Sequence, residues 1–194
     1  YQGASAPVAA FLAFVPKTAG FVARLLIVGL VGWTDGHHLP EPLHTVLWIM
    51  AALTMTVGNV LAVLQTSVKR LLAYSSIAHV GYMLVGTGAG GGLGGGTVLF
   101  YLLVYTFTTA GAFGVILLLE RGGDEAVQIG DTAGLATRHP LAALALAIFL
   151  LSLVGIPPTA GFVGKFYLFG AAVRSGYLWL AVIGVLNSAA AAYY

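Results

Sequence analysis

The stretch that decides the fold is LSLVGIPPTAGFVGKFYLF, residues Leu151–Phe169, where prolines and glycines interrupt a strongly apolar run. Proline lacks a backbone N–H, its ring clashes with the preceding helical turn, and the residue before it is driven out of helical geometry. Pro157 and Pro158 therefore predict a helix that breaks near the middle of residues 140–170. Such a break at membrane depth is a device by which transporters build ion sites, since the freed carbonyls can line a cavity.

The composition predicts that a membrane surrounds this run. Only 7% of the 194 residues are charged and 59% are hydrophobic, and the mean hydropathy is +0.98. A soluble domain carries roughly 25% charged residues, which cover its water-facing surface. Because this chain cannot build such a surface, we expect the lipid bilayer to be its solvent.

Six apolar runs follow one another, and a helix needs about 20 apolar residues to cross a bilayer. The predicted fold class is therefore all-α, a polytopic transmembrane helical bundle in which residues 1–194 form a single membrane domain. The chain begins with Tyr1 rather than Met and stops inside an apolar run, so we interpret it as an internal piece of a longer protein. The predicted spans are residues 8–32, 43–64, 70–88, 97–119, 140–170 (the broken one) and 176–194.

The connections between the runs alternate in charge, which predicts an orientation. Residues 34–42 and the glycine-rich residues 87–97 carry no Lys or Arg, and Gly90–Gly96 is interpreted as a flexible loop. An excess of Lys and Arg marks the cytoplasmic side of a membrane protein, so the first helix is predicted to run from inside to outside. The basic residues on the cytoplasmic side are Lys69, Arg70, Arg121 and Arg138, with Lys69 and Arg70 at the boundary, and Arg174 is on the other side.

Several kinds of site are not expected. The chain has no cysteine, which excludes disulfides and thiolate ligands for zinc or iron–sulfur clusters. The scattered basic residues do not indicate nucleic acid. His37, His38 and His44 lie in or beside a short loop without a set of acidic ligands, so we expect neither a metal nor any other cofactor in this chain.

Lys17 and Lys165 are the strongest candidates for function. Each lies inside an apolar run, where a lysine costs roughly 2.5–3.5 kcal/mol on insertion scales. Burial disfavours the ammonium form, so a lysine held there can take up and release a proton. The alternative is a structural lysine that pairs with an acid on another helix or, for Lys165, reaches the outer interface. The fifth and sixth runs contain no acid, so we expect any counter-charge of Lys165 to come from elsewhere.

His79 is a possible relay between the lysines. It shares a helical face with Ser75 and Ser76 by i, i+3, i+4 spacing. Such a face can conduct protons through water, and it can equally well form hydrogen bonds between helices. The fourth run carries a further polar stripe, for which helix packing is the default interpretation and a water-lined path the alternative. Its members are Tyr101, Tyr105, Thr106, Thr108 and Thr109.

Three of these stretches resemble one family. Tyr1–Phe21 and Leu151–Phe169 resemble the N subunits of bacterial NADH–quinone oxidoreductase (respiratory complex I). Gln65–Gly86 is similar to a signature shared by antiporter-like subunits of complex I and by cation/proton antiporter complexes. The resemblance implies an antiporter-like fold with two inverted repeats, each carrying a broken helix. It matches Lys17 to the lysine near the middle of the subunit and Lys165 to the lysine on its exit side, where relatives of the M type mostly have Glu. The Glu and Lys of the family's first half-channel would lie upstream of Tyr1.

The resemblance also implies a function. We expect proton translocation across the bacterial plasma membrane, coupled to quinone reduction elsewhere in a proton-translocating NADH:quinone oxidoreductase, with no redox centre in this chain. Expected partners are the other membrane-arm subunits, the lipid bilayer, protons and internal water. One alternative is a subunit of a multi-subunit sodium/proton antiporter, which shares the middle motif, and a second is a structural membrane scaffold. Pro16 departs from the family, which usually has Ser before the lysine, and is expected to affect the direction of Lys17.

Overall fold

The computed structural model describes residues 6–31, 41–89, 91–119 and 128–194. These segments are helices that pack against one another through apolar side chains. A short 3-10 helix spans Ile129–Thr132. The helices are α1 (Ala6–Val31), α2 (Glu41–Val63), α3 (Val68–Gly88), α4 (Gly91–Leu119), α5 (Leu135–Arg138), α6 (Pro140–Val154), α7 (Ala160–Arg174) and α8 (Leu178–Ala191). α1 continues through Pro16 as one helix.

Small residues bring α2 and α3 into close contact. A Cβ at Gly58 would meet the backbone of Ala78, and one at Gly81 would meet the backbone of Met55. Helix association in membranes relies on such small residues, because lipid tails compete with any larger apolar side chain. The close approach fixes the position of the buried face of α3 relative to α2.

α4 is the central helix and contacts α1, α3, α6 and α7. It begins at Gly91, so the interpretation of Gly90–Gly96 as a flexible loop is wrong for residues 91–96, while Gly90 lies outside the described residues. A Cβ at Gly94 would lie 2.6 Å from the carbonyl oxygen of Gly86 on α3. Glycine costs about 1 kcal/mol in a helix relative to alanine. Here that cost is offset because glycine lets the two helices approach each other.

The predicted break near Pro157 and Pro158 is confirmed. α6 ends at Val154, Gly155 follows in the left-handed region at φ +85°, and α7 begins at Ala160 after Thr159, whose hydroxyl accepts from the N–H of Phe162. A left-handed C-cap is a common end of a helix and favours glycine. The break therefore leaves the last carbonyls of α6 without partners in their own helix.

The surface of the described helices is strongly apolar, with exposed side chains such as Leu118, Leu141 and Trp179. Of the described helices, Glu41–Val63 and Gly94–Leu118 are by themselves long and apolar enough to cross a membrane, while Pro140–Val154 and Leu178–Ala191 are shorter apolar helices. The six predicted spans stay a prediction.

The two basic residues predicted at the cytoplasmic boundary differ in exposure. Lys69, expected beside Arg70 at the cytoplasmic boundary, is only 4% exposed in the first turn of α3. Arg70 is partly exposed and donates to the hydroxyl of Thr66. The two neighbours point in different directions because adjacent residues on a helix lie on different faces. Lys69 is therefore a buried residue of the bundle.

Candidate functional site

Lys165 lies in α7, and its side chain, 3% exposed, reaches back to the break at the end of α6. Its Nζ donates to the carbonyl oxygens of Leu153 at 2.9 Å and Val154 at 2.8 Å, and to Oγ of Ser188 at 2.8 Å. The Ser188 hydroxyl in turn donates to the Val154 carbonyl at 3.0 Å. Three neutral oxygens thus surround the Lys165 ammonium, two of them freed by the helix break, and the prediction that any counter-charge comes from elsewhere stays a prediction.

The chemistry of this pocket matches an ammonium group. An ammonium has three N–H donors and no acceptor, and Lys165 has three acceptors around it. The carbonyl end of α6 carries the negative pole of the helix dipole, which attracts a cation. The face of the Tyr82 ring lies 4.6 Å from Nζ, as in a cation–π contact.

Two glycines make room for this arrangement. The left-handed conformation of Gly155 ends α6, and a Cβ there would lie 3.0 Å from Cδ of Lys165. A Cβ at Gly161 would collide with the carbonyl oxygen of Ser152, because the start of α7 passes directly over the end of α6. The Gly161 N–H donates to the Ser152 hydroxyl at 3.2 Å. The lysine pocket therefore depends on the absence of side chains at both positions.

Lys17 lies on α1 against the central helix. Its Nζ donates to the Tyr105 hydroxyl at 3.5 Å and lies 5.8 Å from the centre of that ring. Tyr105 donates to the carbonyl oxygen of Ala13, one turn before Lys17, at 3.2 Å. Lys17 is partly buried, so its environment differs from the closed pocket of Lys165.

His79 lies between the two lysines. Its Nδ1 is 2.6 Å from the Tyr101 hydroxyl, and its ring lies 5.0 Å from the ring of Tyr105 and 5.6 Å from that of Tyr82. The Tyr105 ring also contacts Nζ of Lys17, and the Tyr82 ring contacts Nζ of Lys165. Aromatic rings thus connect His79 to both lysines, of which Lys165 is buried and Lys17 partly buried.

The polar face around His79 divides into two sets. Ser76 donates to the carbonyl of Ala73 in its own helix, and Thr106 and Thr108 likewise bond to carbonyls of α4. Tyr101 and Tyr105 are buried in the core, as the packing interpretation predicts, and their hydroxyls also contact His79 and Lys17, respectively. The water-lined path stays a prediction.

A second polar cluster was missed entirely. Asn59 of α2 is 2% exposed and donates to the Tyr82 hydroxyl at 3.2 Å. It also donates to Oδ1 of Asn187 at 3.0 Å, and its own Oδ1 accepts from the Tyr194 hydroxyl at 2.7 Å. A buried amide in an apolar span was the available signal, since it needs partners.

Only one of the three histidines weighed as metal ligands is described. His44 stacks on Tyr177, with ring centres 3.9 Å apart and planes 18° apart. His37 and His38 lie outside the described residues, as do residues 120–127, which include Arg121. Within the part of the chain that the structure describes, no group of three or more His, Cys, Asp or Glu could hold a metal ion.

A line of amines, an imidazole and phenols supplies groups that exchange protons. Lysine and histidine exchange protons, and hydroxyl groups both donate and accept. Hydrogen bonds join Lys17 to Tyr105 and His79 to Tyr101. Ring contacts join Tyr105 to His79, and the Tyr82 ring contacts both His79 and Lys165.

Comparison with known proteins agrees with this geometry. A family model described as NADH:quinone oxidoreductase/Mrp antiporter, TM, matches residues 1–190. The chain is 52% identical to NADH-quinone oxidoreductase subunit N of Trichlorobacter lovleyi, over all of this chain and 39% of that protein. It is 46% identical to subunit N of Bdellovibrio bacteriovorus, over all of this chain and 40% of that protein. The chain therefore spans about two fifths of the length of these relatives.

Solved structures give the same result. The fold is similar to a chain of respiratory complex I from Thermus thermophilus, with a TM-score of 0.83 and 38% identity over all of this chain and 41% of that chain. It is also similar to a chain of the Mrp complex from a Dietzia species, with a TM-score of 0.71 and 32% identity over 76% of this chain and 28% of that one. The predicted fold class, an antiporter-like transmembrane bundle with a broken helix, is confirmed.

Proposed function

Because the chain belongs to the NADH:quinone oxidoreductase/Mrp antiporter transmembrane family, we propose that it is part of a proton-translocating N-type subunit of a NADH–quinone oxidoreductase. The observation that carries the proposal is the line of contacts from the partly buried Lys17 through Tyr105, His79 and Tyr82 to the buried Lys165. A membrane scaffold has no need of a lysine enclosed as Lys165 is. The relatives named subunit N support the assignment to this complex.

In the proposed cycle a proton reaches Lys17 from the part of the subunit that precedes this chain. It passes by Tyr105 and His79, with bridging water, and arrives at Lys165, where the α6 carbonyls and Ser188 receive the ammonium. Repulsion from a newly charged neighbouring site then releases the proton to the outside of the bacterial plasma membrane. Each proton moved against 100 mV requires about 2.3 kcal/mol. Quinone reduction elsewhere in the complex supplies this energy through the neighbouring membrane-arm subunits.

The test is replacement of both lysines by alanine in the full-length subunit of the assembled complex. With the complex in sealed vesicles, NADH-driven proton transport through this subunit should be lost while the complex remains in the membrane. Proton transport that survives the Lys17→Ala, Lys165→Ala double change at the normal ratio to NADH oxidation would support the scaffold alternative instead.

A sodium/proton antiporter subunit is the second candidate, favoured by the similarity to the Mrp complex. The two functions differ in their driving force. Vesicles that carry the complete complex should take up protons only when NADH is oxidised, with or without sodium. Sodium-dependent proton flux in the absence of NADH would favour the antiporter.

A further inference from the structure

Tyr82 is held at its hydroxyl by a residue on another helix. The side chain is fully buried on α3, and Nδ2 of Asn59 on α2 donates to its oxygen at 3.2 Å. Asn59 is itself fixed, since its Oδ1 accepts from Tyr194 and its Nδ2 also meets Oδ1 and the carbonyl of Asn187. The phenol is therefore tethered at a defined position.

The ring of Tyr82 contacts the ammonium of Lys165. All three N–H donors of that group are already directed at oxygens, those of Leu153, Val154 and Ser188. Tyr82 presents its ring face to the same nitrogen at 4.6 Å. The ring therefore acts on the lysine through its negative face and not through its hydroxyl.

The ring is also confined from its sides. His79 and Phe169 meet it edge-on, with centres 5.6 Å and 6.0 Å away. Edge-to-face contacts permit sliding, whereas a hydrogen bond at the hydroxyl fixes the distance of the ring from α2. Loss of that hydrogen bond would allow the ring to move away from Nζ.

We propose that Asn59 is a positioning residue that holds the Tyr82 ring against the ammonium of Lys165, and that this pair sets how readily Lys165 accepts the transported proton. The inference rests on the proposed function, because it concerns the lysine that receives the proton. It assigns Tyr82 an electrostatic contact with the transported charge, and Asn59 a role that acts only through Tyr82.

The test is a double-mutant cycle in the full-length subunit of the assembled complex. Asn59→Leu removes the tether, Tyr82→Phe removes its acceptor and keeps the ring, and Tyr82→Leu removes the ring. A single hydrogen bond is worth about 1 kcal/mol, so Asn59→Leu and Tyr82→Phe should each slow NADH-driven proton transport about fivefold. Tyr82→Leu removes a desolvated cation–π contact and should slow NADH-driven proton transport about 10- to 30-fold.

The double change Asn59→Leu, Tyr82→Phe distinguishes positioning from general damage. If Asn59 acts through the Tyr82 hydroxyl, the double variant should again be about fivefold slower and not about 25-fold, because coupled residues are not additive. Thr45→Val is the matched control. It removes an exposed hydroxyl on the same helix that donates to the Glu41 carbonyl, away from the Asn59 cluster, and it should transport protons as the unchanged protein does.

Additive losses in the double variant, or full transport in Tyr82→Leu, would overturn the proposal. If Asn59→Leu prevents assembly, the two Tyr82 variants still test the proposal. Tyr82→Phe, which removes only the tether, should cause a small loss of proton transport, and Tyr82→Leu, which removes the ring, should cause a large one. Failure is separable from failure of the proposed function. Loss of transport in Lys165→Ala together with normal transport in Tyr82→Leu rejects only the role of the Asn59–Tyr82 pair.

Discussion

The Nζ of Lys165 and the carbonyl oxygen of Val154 lie 2.8 Å apart across the break in the helix. The prolines end α6 at Val154, which leaves the last carbonyls of α6 without helical partners. Helix α7 begins after the break and places Lys165 beside these carbonyls. The same stretch of sequence therefore breaks the helix and supplies the carbonyl acceptors that hold the ammonium.

Ser188→Ala should weaken the hold on the Lys165 ammonium. The change leaves one N–H of Nζ without its acceptor, and an unsatisfied buried donor costs about 1–3 kcal/mol. We expect proton transport in vesicles to slow by about tenfold at unchanged assembly. Ser175→Ala is the control, because that hydroxyl bonds to the Ala89 carbonyl away from the lysine. Equal losses in both variants would contradict a specific role for Ser188.

Gly161→Ala should destabilise the break itself. Its Cβ would collide with the Ser152 carbonyl, and overpacking typically costs about 1–3 kcal/mol. The thermal stability of the purified complex, or the amount assembled, should fall. Gly170→Ala on the same helix meets nothing within 4 Å and should be neutral or slightly stabilising. An unchanged stability in Gly161→Ala would show that α7 can move away from α6 without cost.

Tyr105→Phe should impair the entry end of the line. It keeps the ring beside Lys17 but removes the hydroxyl that accepts from Nζ and donates to Ala13. Loss of a hydrogen bond of about 1 kcal/mol predicts about fivefold slower proton transport, measured as the initial rate on NADH addition. Tyr167→Phe changes an exposed tyrosine and should have no effect. Transport at the normal rate in Tyr105→Phe would make Tyr105 a packing residue.

His79→Leu tests the relay against simple helix packing. Leucine fills much of the same space but cannot exchange a proton with Tyr101, so transport should fall at least tenfold, in the range of positioned proton transfer. Ser76→Ala, three residues before His79 on the same helix, removes a bond within α3 and should transport normally. If His79→Leu transports protons at the normal rate, the imidazole serves only to join helices.

The sequence allowed the broken helix and the two lysines to be predicted because each depends on local chemistry. Two consecutive prolines, Pro157 and Pro158, remove backbone donors and clash with the preceding turn, and a lysine inside an apolar run is costly wherever its helix lies. The three-oxygen pocket of Lys165 could not be predicted, because Ser188 reaches it from a different helix.

Errors arose where the meaning of a residue depends on what packs against it. The glycines at residues 91–96 look like a loop in isolation, but Gly94 allows α4 to approach α3. The burial of Lys69 could not be predicted either, because it depends on which face of α3 turns inward. No sequence pattern singles out Tyr82, and only the tertiary structure shows the Lys165 nitrogen over its ring.

The most direct test of the account is the number of protons moved per NADH oxidised in Lys165→Ala, compared with Arg174→Ala, which removes an exposed cation from the same helix. Measured with the assembled complex in sealed vesicles, the ratio should fall in Lys165→Ala and stay unchanged in Arg174→Ala. The same ratio in both variants and in the unchanged complex would contradict a proton path through Lys165.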